Sequence, residues 1–226
     1  MAAVFIIVPC FNEDASVLHQ TLTDLLSAGY SVVLVDDGST INQQTIAADL
    51  PVSFLRHEVN LGQGAALQTG TEFALEKNAE YIVHFDADGQ HQSSDIRDLL
   101  QSLFTNEYDV SFGSRFLTAN HPSIPPFKKI IIAVARFINY LFTGILLSDA
   151  HNGMRAFNKK AASSIIITEN RMSHASEILF EVKKNKLRYC EVPVTIVYSS
   201  YSRHKGQSGW NSIRIVFDLL LHKLFQ

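Results

Sequence analysis

Asp86 and Asp88, two carboxylates one residue apart, follow directly on the apolar run 81–85 in the stretch Asp86-Ala87-Asp88-Gly89-Gln90. On an extended chain, residues two apart point to the same side, so the pair repels unless a cation bridges it. Hard oxygen donors in such small number suit Mg²⁺ or Mn²⁺ that completes its shell with substrate phosphates. A loop that only caps the next helix is the alternative for an isolated Asp-x-Asp. This pair is not isolated. A second acidic turn, Asp36-Asp37-Gly38-Ser39, closes the apolar run 31–35, and a polar turn, Pro9-Cys10-Phe11-Asn12-Glu13, follows the run 4–8. In the latter, Pro9 is expected to end the strand ladder and Asn12 to cap a helix starting near Asp14. Three strands thus deliver acidic or polar turns to one edge of an open sheet, where such sheets bind their ligands.

Other residues could complete a phosphate site. Asn60-Leu61-Gly62-Gln63-Gly64 opens a helix but matches neither the dinucleotide signature nor a P-loop. Its glycines serve either phosphate approach or close packing, and Gly70 suits close packing on the sheet. Arg115, Arg155 and Arg203 lie on segments expected to flank the crevice, and a guanidinium grips phosphate at two points. Surface ion pairing is their common alternative fate. Arg203, with Lys205 and Gly206, reads as part of a lid. Asp149, which precedes Ala150-His151-Asn152-Gly153, reads as a turn acid or as a general base. His91, His151 and His204 are assigned no role.

The elements that must position these groups alternate. Strands are expected at 4–8, 31–36, 52–56 and 80–86, each followed by a helix, at 14–28, 41–49, 63–77 and 93–105. This pattern implies a mostly parallel sheet covered by helices on both faces. Further strands are expected at 110–114 and 155–158, a short apolar stretch at 163–167, a helix at 173–184 and an edge strand at 188–197 interrupted by Pro193. A length of 226 residues with 46% hydrophobic content suits a single α/β domain, 1–226, read as two halves, 1–115 with the acidic turns and 116–226 beyond them.

The net charge of −3 conceals an asymmetry. Residues 1–110 carry 3 Lys and Arg against 16 Asp and Glu, and residues 111–226 carry 16 against 6. The acidic half suits a metal; the basic half suits phosphate groups or an anionic membrane surface. No nucleic-acid motif accompanies the basic charge, so no nucleic-acid partner is expected. Two cysteines, Cys10 and Cys190, read as small buried hydrophobes in a reducing compartment. The N-terminus enters a strand without a basic leader, so no signal peptide is expected. Residues 127–147 are strongly apolar, but Lys128, Lys129, Arg136 and Asn139 interrupt them, which favours an interfacial amphipathic segment over a membrane span. A core or dimer helix is the alternative. The run 213–225 is a second segment of this kind.

Taken together and in order, Val8-Pro9-Cys10-Phe11-Asn12-Glu13, Asp36-Asp37-Gly38-Ser39, Asn60-x-Gly62, Asp86-Ala87-Asp88-Gly89-Gln90, Gly113-Ser114-Arg115, Asn152-Gly153-Met154-Arg155 and Arg203-x-x-Gly206-x-Ser208 cover almost the whole chain. In these motifs the chain resembles the inverting nucleotide-sugar glycosyltransferases of family 2, in particular the dolichyl-phosphate mannose synthase and polyprenyl-phosphate branch. The resemblance implies a GT-A fold and a nucleoside diphosphate sugar donor, UDP-linked rather than GDP-linked. It implies that Pro9, Asn12, Glu13, Asp36, Asp37, Asn60, Gly62 and Asp86 line the nucleotide pocket, with Asp37 accepting from the base. Asp88, Gln90 and Asp86 would hold Mg²⁺ or Mn²⁺. Arg115, Arg155, Arg203 and Lys128 or Lys129 would manage the acceptor phosphate; lysine stands here where the family carries an arginine, and supplies charge without the two-point fork.

The implied acceptor is a polyprenyl phosphate at the inner face of the cytoplasmic membrane, reached by peripheral contact, as a homodimer or with a membrane partner subunit. Two alternatives remain open at this point: transfer to a saccharide hydroxyl with Asp149 as base, and a non-catalytic nucleotide-sugar-binding subunit.

Overall fold

The computed structural model describes residues 2–118, 136–137, 140–141, 143–150, 152–171 and 173–197. Seven strands form one sheet: β1 (Val4–Cys10), β2 (Ser31–Asp36), β3 (Ser53–Arg56), β4 (Tyr81–His84), β5 (Val110–Ser114), β6 (Arg155–Asn158) and β7 (Tyr189–Pro193). Their spatial order is β3-β2-β1-β4-β6-β5-β7. The β3-β2-β1-β4 block is parallel, β6 pairs antiparallel with both β4 and β5, and β7 runs parallel to β5 at the edge. The sheet thus draws strands from both sides of residue 115.

The helices are α1 (Ala15–Ser27), α2 (Gln63–Glu76), α3 (Ile96–Phe104), α4 (Lys159–Ser164) and α5 (His174–Lys184). Strand alternation sorts the core into two layers. Ile6, Val8, Val32 and Leu34 face Leu18, Leu22 and Leu25 of α1 and Leu99 and Leu103 of α3. Ile7, Val33 and Val35 face Ala66 and Leu67 of α2, with Ile178, Leu179 and Val182 of α5 in the same cluster. Gly70 lets α2 lie close on this face, since a Cβ there would overlap Ile7.

Several elements differ from expectation. The helix expected at 41–49 is one 3₁₀ turn, Gln43–Thr45, capped by Asn42. Only Gln43 and Ala47 of that segment are buried, too few to make an apolar helical stripe. Helix α4, a single capped turn and a half, was not expected and ends where the apolar stretch 163–167 begins; Asn158 accepts from the Ala161 amide at its start. Pro9 does not end β1, which continues to Cys10. Ile7 accepts from Phe85 on the β4 side whereas Cys10 accepts from Asp37 on the β2 side, so Pro9 faces β4 beyond the end of their ladder, where no hydrogen bond is lost. Asn12 is not the cap of α1 either: Asp14 accepts from the Ser16 and Val17 amides.

The far end of the sheet is tied by Asp109, which is 2% exposed. It accepts from the Arg188 amide (2.9 Å), the Arg188 guanidinium and Asn158, with Lys160 at 3.4 Å, and so joins the starts of β5 and β7 to the end of β6. Burial pushes the carboxyl up, but these partners outweigh it and hold it from 3.8 down to about 2. A depressed folded-state value adds stability that is complete above the unfolded value and vanishes as pH falls through the folded one. Asp109→Ala is therefore expected to lower stability by at most about 2 kcal/mol at neutral pH, the ion-pair partners being solvent-screened. The deficit should shrink between pH 4 and pH 2, as read by urea unfolding at a series of pH values.

Candidate active site

The polar turns gather at the edge formed by the carboxyl ends of β1, β2 and β4. Because β6 runs against its neighbours, its beginning reaches that edge, which brings Asn152, Gly153 and Arg155 beside Asp86. His84 and Arg155 are register partners in the ladder, and Gly153 lies so close that a Cβ there would overlap Asp86 Oδ2.

Asp86 is held from two further directions. Gln63, first residue of α2, donates to Oδ1 at 2.9 Å, and His91 Nε2 donates to Oδ2 at 3.2 Å. Burial raises the Asp86 carboxyl, yet the His91 contact and the Arg155 and His174 charges outweigh it and keep it below the usual carboxylate value. Asp88 behaves oppositely: burial first, then the charge of Asp86, push it above that value. Gln90 donates to it twice, from the backbone amide to Oδ1 (3.1 Å) and from Nε2 to Oδ2 (2.6 Å). Asp88, Gly89 and His91 form one wall of a recess of about 300 Å³, whose other wall is Ser16, Gln20 and Thr21 of α1.

This donor set fits a small divalent cation. The oxygens are hard, and Asp88 carries a charge that its surroundings do not compensate. No cluster of three His, Cys, Asp or Glu side chains occurs among the described residues. A metal at Asp86, Asp88 and Gln90 must therefore take the rest of its shell from substrate and water.

The other expected site residues fall into different places. Asp36 is fully buried; Oδ1 accepts from the Ser39 amide at 3.0 Å, and Oδ2 has only the Arg56 Nε at 3.6 Å. Asp37, expected to meet the base, is also buried, with its carboxylate turned into the protein. It accepts from the Leu61 amide (2.9 Å), the Gly62 amide (2.7 Å) and His57 Nδ1 (2.8 Å), and so anchors the 57–62 turn. Asn12, with φ of 50°, accepts from the Thr40 amide and hydroxyl and braces the neighbouring turn. Pro9 is buried, Glu13 is half-buried and Asn60 is exposed. Gly62, with φ of 116°, caps α2, and both Gly62 and Gly64 abut the backbone of residues 169–170. Close packing, of the two uses open to these glycines, is the one the structure displays.

Asp149 is gripped by Arg115: Nε donates to Oδ2 at 2.6 Å and Nη2 to Oδ1 at 3.2 Å, while Asn152 adds a further donor to Oδ2. Arg155, expected to meet acceptor phosphate directly, is 2% exposed, with Nη1 buried and lacking a hydrogen-bond partner. Burial pushes it down to about 10 against the pull of Asp86 and Asp149, so it stays cationic near neutral pH. Its charge is buried near those of Asp86 and Asp149. Lys128, Lys129 and Arg203, most of 127–147 and all of 213–225 lie outside the described residues. Gln63, His57 and the contact of Gly153 with Asp86 were not singled out from sequence. Only the position of Gln63 directly after a helix-opening glycine hinted at a role.

Comparisons with known proteins identify the family and the fold. Residues 5–166 match Glycosyl transferase family 2. The chain is 31% identical over 242 residues to a UDP-N-acetylglucosamine–dolichyl-phosphate N-acetylglucosaminyltransferase of Methanococcus voltae, covering 98% of this chain and 96% of the relative. It is 29% identical over 217 residues to an undecaprenyl-phosphate mannosyltransferase of Micrococcus luteus, covering 91% and 88%. Glucosyl-3-phosphoglycerate synthase from Mycobacterium tuberculosis, solved with Mn²⁺ and UDP-glucose, superimposes with a TM-score of 0.70 at 13% identity, covering 97% of this chain and 77% of that one. The fold is GT-A.

The packing of Gly153 on Asp86 is directly testable. Gly153→Ala must displace the carboxylate or the loop, so Mn²⁺-dependent UDP binding by calorimetry is expected to weaken by about tenfold or more while the circular dichroism spectrum stays that of the parent.

Proposed function

This chain belongs to Glycosyl transferase family 2, and from that premise we propose that it transfers a sugar from a nucleoside diphosphate donor to a polyprenyl phosphate, by one in-line displacement with inversion. The observation that carries the choice of acceptor is the clasp of Arg115 on Asp149. A hydroxyl acceptor needs a base, and the carboxylate expected in that role already has both oxygens on a guanidinium. A phosphate acceptor is anionic at neutral pH and attacks unaided, given positioning and charge neutralisation. Relatives named as dolichyl- and undecaprenyl-phosphate transferases over nearly their full length support the same reading.

In this mechanism the pocket walls of Pro9, Asn12, Glu13, Asn60 and Gly62 receive the nucleotide, while Asp36 and Asp37 hold the turns behind them. UDP is the preferred nucleotide, as in the named relative and the superimposed structure. Asp86, Asp88 and Gln90 would hold Mg²⁺ or Mn²⁺, which when bound supplies Lewis-acid charge to the diphosphate and the departing nucleotide. Arg115, Arg203 and Lys128 or Lys129 steer the acceptor phosphate to the anomeric carbon, and Arg155 contributes a buried positive charge. No helix among the described residues is long and apolar enough to cross a membrane. Contact with the inner membrane face would be peripheral, through the basic half of the chain, alone, as a homodimer or with a membrane partner.

The test is transfer of radiolabelled sugar from UDP- and GDP-sugars into an organic-extractable product, with polyprenyl phosphate and Mn²⁺. Label should reach the lipid phase and vanish in Asp88→Ala. Asp149→Asn should cost no more than about tenfold, short of the roughly 100- to 10,000-fold lost with a general base. Near-total loss in Asp149→Asn with donor binding intact would return the reading to a hydroxyl acceptor. Absence of nucleotide release from any donor would instead favour a non-catalytic subunit.

A further inference from the structure

His91 was given no role from the sequence, and its surroundings are unusual for a residue that only fills space. It is 7% exposed, its ring lies 5.6 Å from that of Phe85, and its backbone forms an isolated antiparallel bridge with Ile196. The adjacent Gln90 carbonyl accepts from the Val197 amide at 2.9 Å, so the turn carrying the imidazole is tied to residues 196–197. Nε2 reaches Asp86 Oδ2 at 3.2 Å, whereas Nδ1 is buried with no partner.

A buried ring nitrogen without a partner destabilises the fold. Phenylalanine would keep the ring contact with Phe85 and remove that cost, so ring packing alone does not call for histidine. What only the imidazole supplies is the hydrogen bond to Asp86.

We propose that His91 is a positioning residue for sugar transfer, setting the plane of the Asp86 carboxylate from one side as Gln63 sets it from the other. The terminal torsion of an aspartate is soft, with broad wells. Donors on both oxygens, one per oxygen, fix that torsion and leave the remaining lone pairs directed at the crevice beside Asp88. Gly153 packs against the same carboxylate, its absent side chain leaving room for this orientation. The inference rests on the proposed glycosyl transfer only for its kinetic readout; its binding readout is independent.

The experiment compares the parent chain, His91→Phe and His91→Gln by thermal unfolding, by calorimetric binding of UDP in the presence of Mn²⁺, and by kcat and KM for transfer. His91→Phe is expected to unfold cooperatively, as the parent does, yet bind UDP with Mn²⁺ about tenfold or more weakly and lose kcat more than it gains KM. His91→Gln, whose amide can donate to the same oxygen, should recover most of the binding and rate. In an Asp86→Asn background, the further change to Phe should cost little, because the two residues act as one unit.

Parent-like binding in His91→Phe overturns the proposal, as does full additivity of the two changes or a glutamine variant no better than phenylalanine in a folded protein. Should the parent chain move no sugar to polyprenyl phosphate, the acceptor reading falls while the binding series still decides the part played by His91.

Discussion

A carboxylate placed among buried groups has to be compensated, and Asp86 is where this fold does most of its compensating. Its donors come from three separate stretches: Gln63 at the start of α2, His91 after β4, and Arg155 in β6 as a through-space charge. No two of these are neighbours in sequence. They converge because β6 is inserted antiparallel beside β4, pairing His84 with Arg155, so that a loop from the basic half of the chain is laid against an acid of the acidic half. The uneven charge of the two halves is therefore a matter of architecture as well as of ligand attraction: the halves meet at this carboxylate.

The same economy governs the turns around it. Asp37 spends its oxygens on Leu61, Gly62 and His57, which fixes the glycine cap of α2, which in turn sets Gln63 on Asp86. Gly62 and Gly64 let the backbone of residues 169–170 close over that helix start. A run of hydrogen bonds and close contacts thus leads from the β2 turn to the β4 turn without a charged residue left facing its like, except at Asp88. There the repulsion stands, because burial and the neighbouring Asp86 both raise that carboxyl and only Gln90 opposes them strongly. An uncompensated acid on the wall of a recess attracts a cation, which is the physical basis for a metal at this edge.

Around Asp149 the balance of charge differs. Asp149 and Arg115 neutralise one another at 2.6 Å, and Glu191 accepts from the Ser148 amide and hydroxyl to hold that loop on β7. Arg155 retains its charge in a buried place without a hydrogen bond to Nη1. Positive charge close to an acidic, cation-attracting edge suits a reaction in which anionic phosphate must approach a diphosphate already in place.

Strand order in time, the alternation of strands and helices, the three acidic or polar turns and the pairing of Asp86 with Asp88 were all legible in the residues, because each depends on local periodicity and on carboxylates that no apolar run requires. The ordered motifs carried the family for the same reason: they are short and contiguous. Pro9 was misread where the outcome hung on which neighbouring strand it faces, Asn12 where Asp14 took the cap and left it to Thr40, and the helix expected at 41–49 where too few side chains find a core. Whether Asp37 faces ligand or protein, whether Asp149 is open or clasped, and whether Arg155 is a clamp or a buried charge could not be read from spacing. Each depends on partners 20 to more than 60 positions away, brought together by strand insertion, and only the tertiary structure decides which of two oppositely charged groups meets the other before a ligand does.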